Sequence, residues 1–444
     1  MIQRARKYLA GPELGPLLIK AVIGSAGLRI AGMFFGFLVG VQLARGLGVE
    51  GYGIYGLAMS IIALLTVPTE FGIPWLLIRE VAAAQAAGNW GKLRGILHWS
   101  SRAELLISAA VTIAVILWLF ATQHNLNSPL AMALVTGLVM VPLVALGNLF
   151  GAALRGLQHI VKGQLPEALI RPALHSLLLF LVPLIVAPLN PALAMGLGAV
   201  SAACVFGMTW VMLRNTMPAA SRHAVPQIES KQWWASAMPM ALTEGMRVLQ
   251  GHLIILLLGA TSTVAMVGIF RVASSVFLLV AMPVTLFNVV GAPIISRLYA
   301  QGDLARLQRL LGWIALGMTV GTLILTLPFL FAGELLLSKI FGAEFQAANT
   351  PLLVICIGGI ICGTLGANVI LLNMTGHEKR VTRALVISLL SLAVLAGPLI
   401  HVIGLIGGAL ASAISMTLWS VIMWLDVRKL LGLDTSLLSF FRKN

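Results

Sequence analysis

The chain has 444 residues, 59% hydrophobic and 10% charged, with a net charge of +15. A soluble globular chain runs about 45–50% apolar and about 25% charged. Too few polar residues exist here to coat a soluble protein of this length, so a soluble enzyme and a disordered chain are both excluded and a polytopic membrane protein remains.

Arg4, Arg6 and Lys7 open the chain, and Gly11–Pro16 parts them from the first apolar run. That run is too long for the core of a signal peptide, so a retained, cytoplasmic N-terminus is expected. Twelve apolar segments follow, predicted at 17–43, 53–78, 103–121, 130–153, 168–187, 192–213, 235–258, 265–294, 311–331, 351–373, 384–403 and 406–425. A spanning helix needs about 20 apolar residues, which these lengths supply, and none shows the strict alternation of a barrel strand. The stretch 75–87 is apolar and Ala-rich and extends the second helix past the membrane. The expected architecture is all-α, with twelve transmembrane helices in two six-helix lobes, 1–216 and 235–426. A cytoplasmic linker, 217–234, joins them. The tail 427–444 sets leucines and phenylalanines between basic ends and reads as an amphipathic helix on the inner surface, or else as a frayed end.

The connections sort by charge. One alternate set, including Arg79, Lys92, Arg94, Arg155, Lys162, Arg214, Arg297, Arg306, Lys379 and Arg428, holds 22 of the 29 basic residues; the other holds only Arg45 and Lys339. The positive-inside rule places the first set and both termini in the cytoplasm. An internal repeat supports two matched halves. Gly53-Ile54-Tyr55-Gly56-Leu57-Ala58-Met59-Ser60 resembles Gly268-Ile269-Phe270-Arg271-Val272-Ala273-Ser274-Ser275, an offset of 215 residues, and the glycines after the fourth and tenth helices, Gly156 and Gly376, are offset by 220. Six helices per half give both halves one orientation, with a pseudo-twofold along the membrane normal, a transporter architecture.

Ionisable groups at membrane depth are expensive and face cavities. Lys20 and Arg171 sit near the cytoplasmic face and can snorkel. Arg29, Glu244, Arg247 and Arg271 lie deeper, on the first, seventh and eighth segments, and Glu70 lies within the second. Arg29 and Arg271 have no local acid and are candidates to line a central cavity for an anionic ligand. Glu244 and Arg247 are three residues apart and form either a structural ion pair or part of the same lining. Glu70 and Glu244 are candidate coupling sites for a proton or sodium ion. Gly32, Gly36 and Gly40 make a small-residue stripe suited to close helix packing or to bending. Trp75, Trp233 and Trp234 read as interfacial anchors. Cys204, Cys356 and Cys362 lack metal-ligand spacing, and no phosphate-binding loop, zinc motif or catalytic outward loop occurs. No enzymatic activity, metal or other cofactor is expected, and no nucleic-acid partner.

Leu43-Ala44-Arg45-Gly46-Leu47-Gly48-Val49-Glu50-Gly51-Tyr52-Gly53-Ile54-Tyr55 resembles the first loop of polysaccharide flippases of the multidrug/oligosaccharidyl-lipid/polysaccharide exporter superfamily. So do Phe71-Gly72-Ile73-Pro74 through Ile78-Arg79-Glu80-Val81-Ala82, Pro293–Ala300 with Gly302-Asp303, Phe341-Gly342-Ala343-Glu344-Phe345 and Met374-Thr375-Gly376-His377-Glu378. The resemblance implies two six-helix lobes around a cavity lined by helices 1, 2, 7 and 8. It also implies translocation of a lipid-linked oligosaccharide, on undecaprenyl pyrophosphate, from the inner to the outer leaflet of a bacterial inner membrane, for O-antigen, capsule or exopolysaccharide assembly. The partners expected are that lipid-linked substrate, membrane lipids, and the polymerase and chain-length regulator of the same pathway; the protein itself is expected to be a monomer. The rivals are a cation-coupled drug exporter of the same superfamily, a sugar or metabolite carrier of another fold, and a glycan polymerase or ligase.

Overall fold

The computed structural model describes residues 14–122, 128–185 and 188–441, and the expected basic residues Arg4, Arg6, Lys7, Arg442 and Lys443, with the side chain of Lys20, lie outside what it describes. Every regular element among the described residues is helical. In lipid only a helix or a closed barrel satisfies each backbone amide and carbonyl, and the long Leu-, Ile-, Val- and Ala-rich runs favour the helix.

Twelve spans can be followed. They are α1 (14–47), α2 (49–70), α3 (Trp90–Thr122), α4 (Pro129–Gly156), α5 (Ile160–Ile185), α6 (Pro191–Thr216), α7 (Ser230–Thr261), α8 (Val264–Val280 with Met282–Gln301, bent by 41°), α9 (Leu304–Phe341), α10 (Asn349–Leu365 with Asn368–Met374), α11 (378–402) and α12 (405–431). Several begin at caps legible in the sequence. Ser128, Asn190 and Asp303 accept from the amides of Ala131, Leu193 and Arg306 at 3.2, 2.8 and 3.0 Å, and proline follows directly at 129 and 191, where its missing amide costs nothing.

Two pairs of spans join with almost no loop. Between α1 and α2 the backbone turns at Gly48 (φ 67°, ψ −177°), a left-handed position that favours glycine. A Cβ on Gly40 would lie 3.5 Å from the Tyr52 hydroxyl, whereas twelve residues of straight helix would separate the two by about 18 Å. Between α11 and α12 the turn falls at Ile403-Gly404. The hairpin is sealed by reciprocal bonds between Ser388 and Ser415, with hydroxyls 2.8 Å apart, and by Arg383 on buried Asp426 at 2.8 and 3.0 Å.

Three sequence expectations change. The second helix does not run on past the membrane. It stops at Glu70, turns through Phe71 (φ 43°) and Gly72 (φ 69°), and a separate short helix, Ile73–Ala86, follows. A Cβ at Gly72 would come within 2.8 Å of α7 backbone atoms, so the turn is also a packing site for α7. The linker is shorter than 217–234 because α7 starts at Ser230, and it is pinned to the start of α3 through Gln227 N–H on Gly91 O (3.0 Å) and Arg94 on Ala224 O (2.9 Å). The tail does not form an amphipathic helix on the membrane surface. It turns at Gly432 and folds back onto α9 and α10, where Gln308 exchanges bonds with the Asp434 backbone (2.6 and 2.8 Å) and Thr435 meets Asn368 at 2.5 Å. Leu433, Thr435 and Ser436 are buried there. Burial works against the Asp434 charge, but hydrogen bonds from Trp424 and Ser436 and the Arg428 charge outweigh it and hold the carboxyl below its ordinary range.

The repeat is visible as a contact. A Cβ on Gly53 would strike the Val264 carbonyl oxygen at 2.0 Å, and one on Gly268 would strike the Val49 carbonyl oxygen at 2.3 Å. Each repeat glycine therefore receives the backbone four residues before its counterpart. That reciprocity is what a twofold relation between α2 and α8 requires.

At the charge-poor end, one apolar cluster draws on both lobes, with Leu43, Tyr52, Leu134 and Met195 packed beside Val272, Phe341, Phe345 and Leu352. At the basic end the core divides into one cluster per lobe, around Leu77, Ile96 and Leu149 and around Leu311, Leu371 and Val427. The start of α7 crosses between them, burying Trp233 and Ala237 in the first lobe while Ile254, Ile255 and Leu258 pack in the second. Trp233 is thus a core residue packed against Trp99, with ring centroids 5.2 Å apart and planes tilted by 55°, not an interfacial anchor, whereas Trp75 remains half exposed. The lobes are joined at the charge-poor end and parted at the basic end.

Candidate functional site

A cavity of about 710 Å³ lies between the lobes, and Arg29, Arg247 and Arg271 all line it. They come from α1, α7 and α8, so the convergence is a property of the fold and not of local sequence. Gly32, Gly36 and Gly40 form one wall, with Phe37, Leu43, Tyr52 and Tyr55 beside them. The glycine stripe therefore has two jobs. Gly32 makes the expected close contact, since a Cβ there would sit 1.9 Å from the Ala168 carbonyl oxygen of α5; Gly36 faces open space, with nothing within 4 Å of its Cβ position.

Each arginine is held differently. Arg29 makes no hydrogen bond or ion pair among the described residues and is exposed to the cavity. Arg247 donates to Glu244 through Nε at 3.1 Å and through Nη2, yet its side chain stays 67% exposed. Arg271 lies over the rings of Tyr52 and Tyr55, with its guanidinium carbon 5.6 and 5.3 Å from their centroids. Its Nη1 reaches the Gly56 carbonyl at 3.5 Å, and its buried Nε has no hydrogen-bond partner among the described residues. Gly56 is the repeat counterpart of Arg271, and a Cβ there would lie 2.7 Å from the arginine Cδ. Two bulky residues cannot face each other across the axis, so one repeat supplies the side chain and the other the space. Two cavity arginines without an acid leave the chamber electropositive.

Neither acid, Glu70 nor Glu244, is among the residues that line this cavity. Glu244, expected there, pairs with Arg247 beside it. Glu70 accepts from Asn148 Nδ2 at 2.7 Å inside the first lobe. Arg171 pairs with Glu167, one turn away on the same helix.

The sequence reading missed a second chamber. About 280 Å³ in volume, it adjoins the first at Arg29 and Ala168 and is lined by Asn148, Arg155, Gln164, Glu167 and Thr209. Arg155 was expected in a cytoplasmic loop, but it sits in the last turn of α4, half-buried. The polar signal was present in Asn148, inside an otherwise apolar segment. Glu104 was also missed. It lies in α3, fully buried, and neither carboxylate oxygen has a hydrogen-bond partner among the described residues. It stands second in the predicted segment 103–121, so its position along the chain gave no sign of depth.

The charge-poor end is closed by polar contacts as well as apolar ones. Arg45, ending α1, donates to the Ile340 carbonyl at 2.7 Å and to that of Lys339, capping the C-terminus of α9. Glu344 returns the contact, accepting from the Val49 amide at the start of α2 at 3.2 Å. Each charge sits at the helix end that its sign favours.

Comparison with known proteins fits this geometry. A multidrug resistance MATE family transporter of the MOP superfamily, solved in an inward-facing conformation, superposes with a TM-score of 0.72 at 12% identity, covering 92% of this chain and 98% of that one. An outward-facing structure of the same description gives 0.64 at 14% identity, covering 94% and 97%. Stage V sporulation protein B of Bacillus subtilis (strain 168) is 39% identical over 80 residues, which span 17% of this chain and 15% of that protein. The model of the polysaccharide biosynthesis protein family matches residues 18–299, more than half of the sequence. With twelve spans in two related lobes around an electropositive cavity, the chain belongs to the polysaccharide biosynthesis protein family and is a multi-pass membrane protein with the fold of the MOP superfamily structures it resembles.

Proposed function

We propose that the protein is a flippase that carries a polyprenyl-pyrophosphate-linked oligosaccharide from the inner to the outer leaflet of a bacterial inner membrane, for cell-surface polysaccharide assembly. The observation that carries this reading is the convergence of Arg29, Arg247 and Arg271, from three helices of both lobes, on one cavity. The transport problem is the head group. Each unpaired hydroxyl costs about 4–8 kcal/mol in hydrocarbon, and an ionised phosphate far more. A wet chamber with arginine forks, suited to phosphate oxygens, removes most of that cost while the polyprenyl tail stays in lipid. The basic end, placed in the cytoplasm by the positive-inside rule, is where the lobes part, so the chamber accepts substrate from the inner leaflet. Rocking of the lobes about the cavity then exposes it on the other side. Glu70 and Glu244 are the acids through which a proton or sodium ion would couple.

The MATE neighbours favour a second reading, drug export. A cationic drug would want an acidic chamber, and this one is basic.

Alanine at Arg29, Arg247 or Arg271 should abolish translocation with membrane levels preserved. The measurement is a leaflet-resolved assay of lipid-linked oligosaccharide in cells lacking the native gene. Full activity in all three variants would remove these residues from the mechanism.

A further inference from the structure

We propose that the smaller chamber in the first lobe is a saccharide subsite that takes the sugar ring next to the pyrophosphate. This rests on the reading of the main cavity as a pyrophosphate site and adds where the glycan begins. Three observations carry it. The chamber meets the main cavity at Arg29, so a ligand whose phosphates lie on Arg29 has its next group at the chamber mouth. Its lining is mixed in hydrogen-bonding sense. Arg29 and Arg155 donate, Glu167 accepts, and Asn148, Gln164 and Thr209 carry both kinds of atom. A simple anion would use only the donors, whereas a polyhydroxylated ring uses both. Glu167 is partly committed to Arg171, and the Thr209 hydroxyl donates to the Val205 carbonyl at 2.7 Å, but the rest is open. The Gln164 side chain has no hydrogen bond among the described residues, and the Arg155 side chain makes a single long one, Nε to Gly151 O at 3.4 Å. Asn148 has given only its amide, to Glu70.

The backbone makes the room. Between Leu165 and Arg171 the helix widens into a π-turn, Pro166–Ile170, a deformation that gathers at functional sites. It places Glu167 and Ala168 on the chamber wall. On the facing helix Gly147 presents no side chain, and nothing lies within 4 Å of its Cβ position. At about 280 Å³ the space is at the low end of small-ligand pockets, which start near 300 Å³. It suits one ring and leaves the rest of the glycan to the main cavity.

The test uses the full chain in nanodiscs and two kinds of probe. One is bare undecaprenyl pyrophosphate; the other is the same lipid bearing a single glucose, galactose or N-acetylglucosamine. The wild type should bind at least one sugar-bearing probe about tenfold more tightly than the bare lipid. Gly147→Leu fills the chamber, and Gln164→Ala removes a free amide without stranding a partner. Both should bring that ratio close to one while bare-lipid affinity holds. A Cβ at Gly147 has no atom within 4 Å and the leucine extends into the open chamber, so its melting temperature should match the wild type; if it does not fold, Gln164→Ala decides alone. A preference that survives both substitutions, or a wild type that prefers none of the three sugars, overturns the subsite and leaves the pyrophosphate reading standing. A wild type that binds neither bare nor glycosylated lipid overturns both.

Discussion

Gly32 and Gly36 are one helical turn apart, look alike in sequence and do opposite things. A methyl at Gly32 would press on the Ala168 carbonyl at 1.9 Å, a backbone atom that cannot swing aside, while one at Gly36 enters open cavity. Both substitutions remove a helical glycine, which by itself favours the helix by about 1 kcal/mol. Gly32→Ala should therefore lower the melting temperature by pushing α1 off α5. Gly36→Leu should leave the fold intact and block transport by occupying the cavity. Thermal unfolding of both purified variants, beside the translocation assay, separates the two roles; equal melting temperatures with equal activity would contradict the geometry. Arg271 shows the same logic of space. Its guanidinium rests on two tyrosine faces, an interaction worth about 2 kcal/mol when desolvated, because its repeat counterpart is a glycine.

Among elements, the charge-poor end depends on two helix ends facing each other. Arg45 caps α9 and Glu344 caps the start of α2. Both contacts cross between the lobes, so both must break when that end opens. Exposed hydrogen bonds of this kind contribute about 0.5–1.5 kcal/mol each, enough to bias a conformational equilibrium without deciding it. The double variant Arg45→Ala, Glu344→Ala should shift the population toward separation at that end. Spin labels on Thr261 and Pro188 would report it as a longer distance component in double electron–electron resonance, and an unchanged distribution would show that the apolar cluster alone holds the end shut.

For the molecule as a whole, the division of its core defines an orientation and a state. One cluster shared by both lobes and two clusters kept apart describe a body open at the basic end. The orientation in the bilayer follows from charge and can be measured directly. With the three native cysteines replaced, Thr261→Cys should react with a membrane-impermeant maleimide in intact cells, and Gln301→Cys only after permeabilisation. The reverse pattern would invert the topology and send the proposed transport the other way.

Much of this protein was already written in its residue order. Hydropathy, alternating loop charge and the eight-residue repeat together determined an all-helical chain of two matched halves, because burial in lipid is a per-residue property that any long apolar run must satisfy. The depth of Arg29, Arg247 and Arg271 was legible for the same reason. Tertiary structure alone decided that these three share one void, that Arg155, Asn148 and Gln164 share another, that α7 straddles the lobes and that the tail docks. Those facts concern distances between segments up to hundreds of residues apart. A hydrophobic period says which residues avoid water, but only the packed backbone says which of the others are left facing one another.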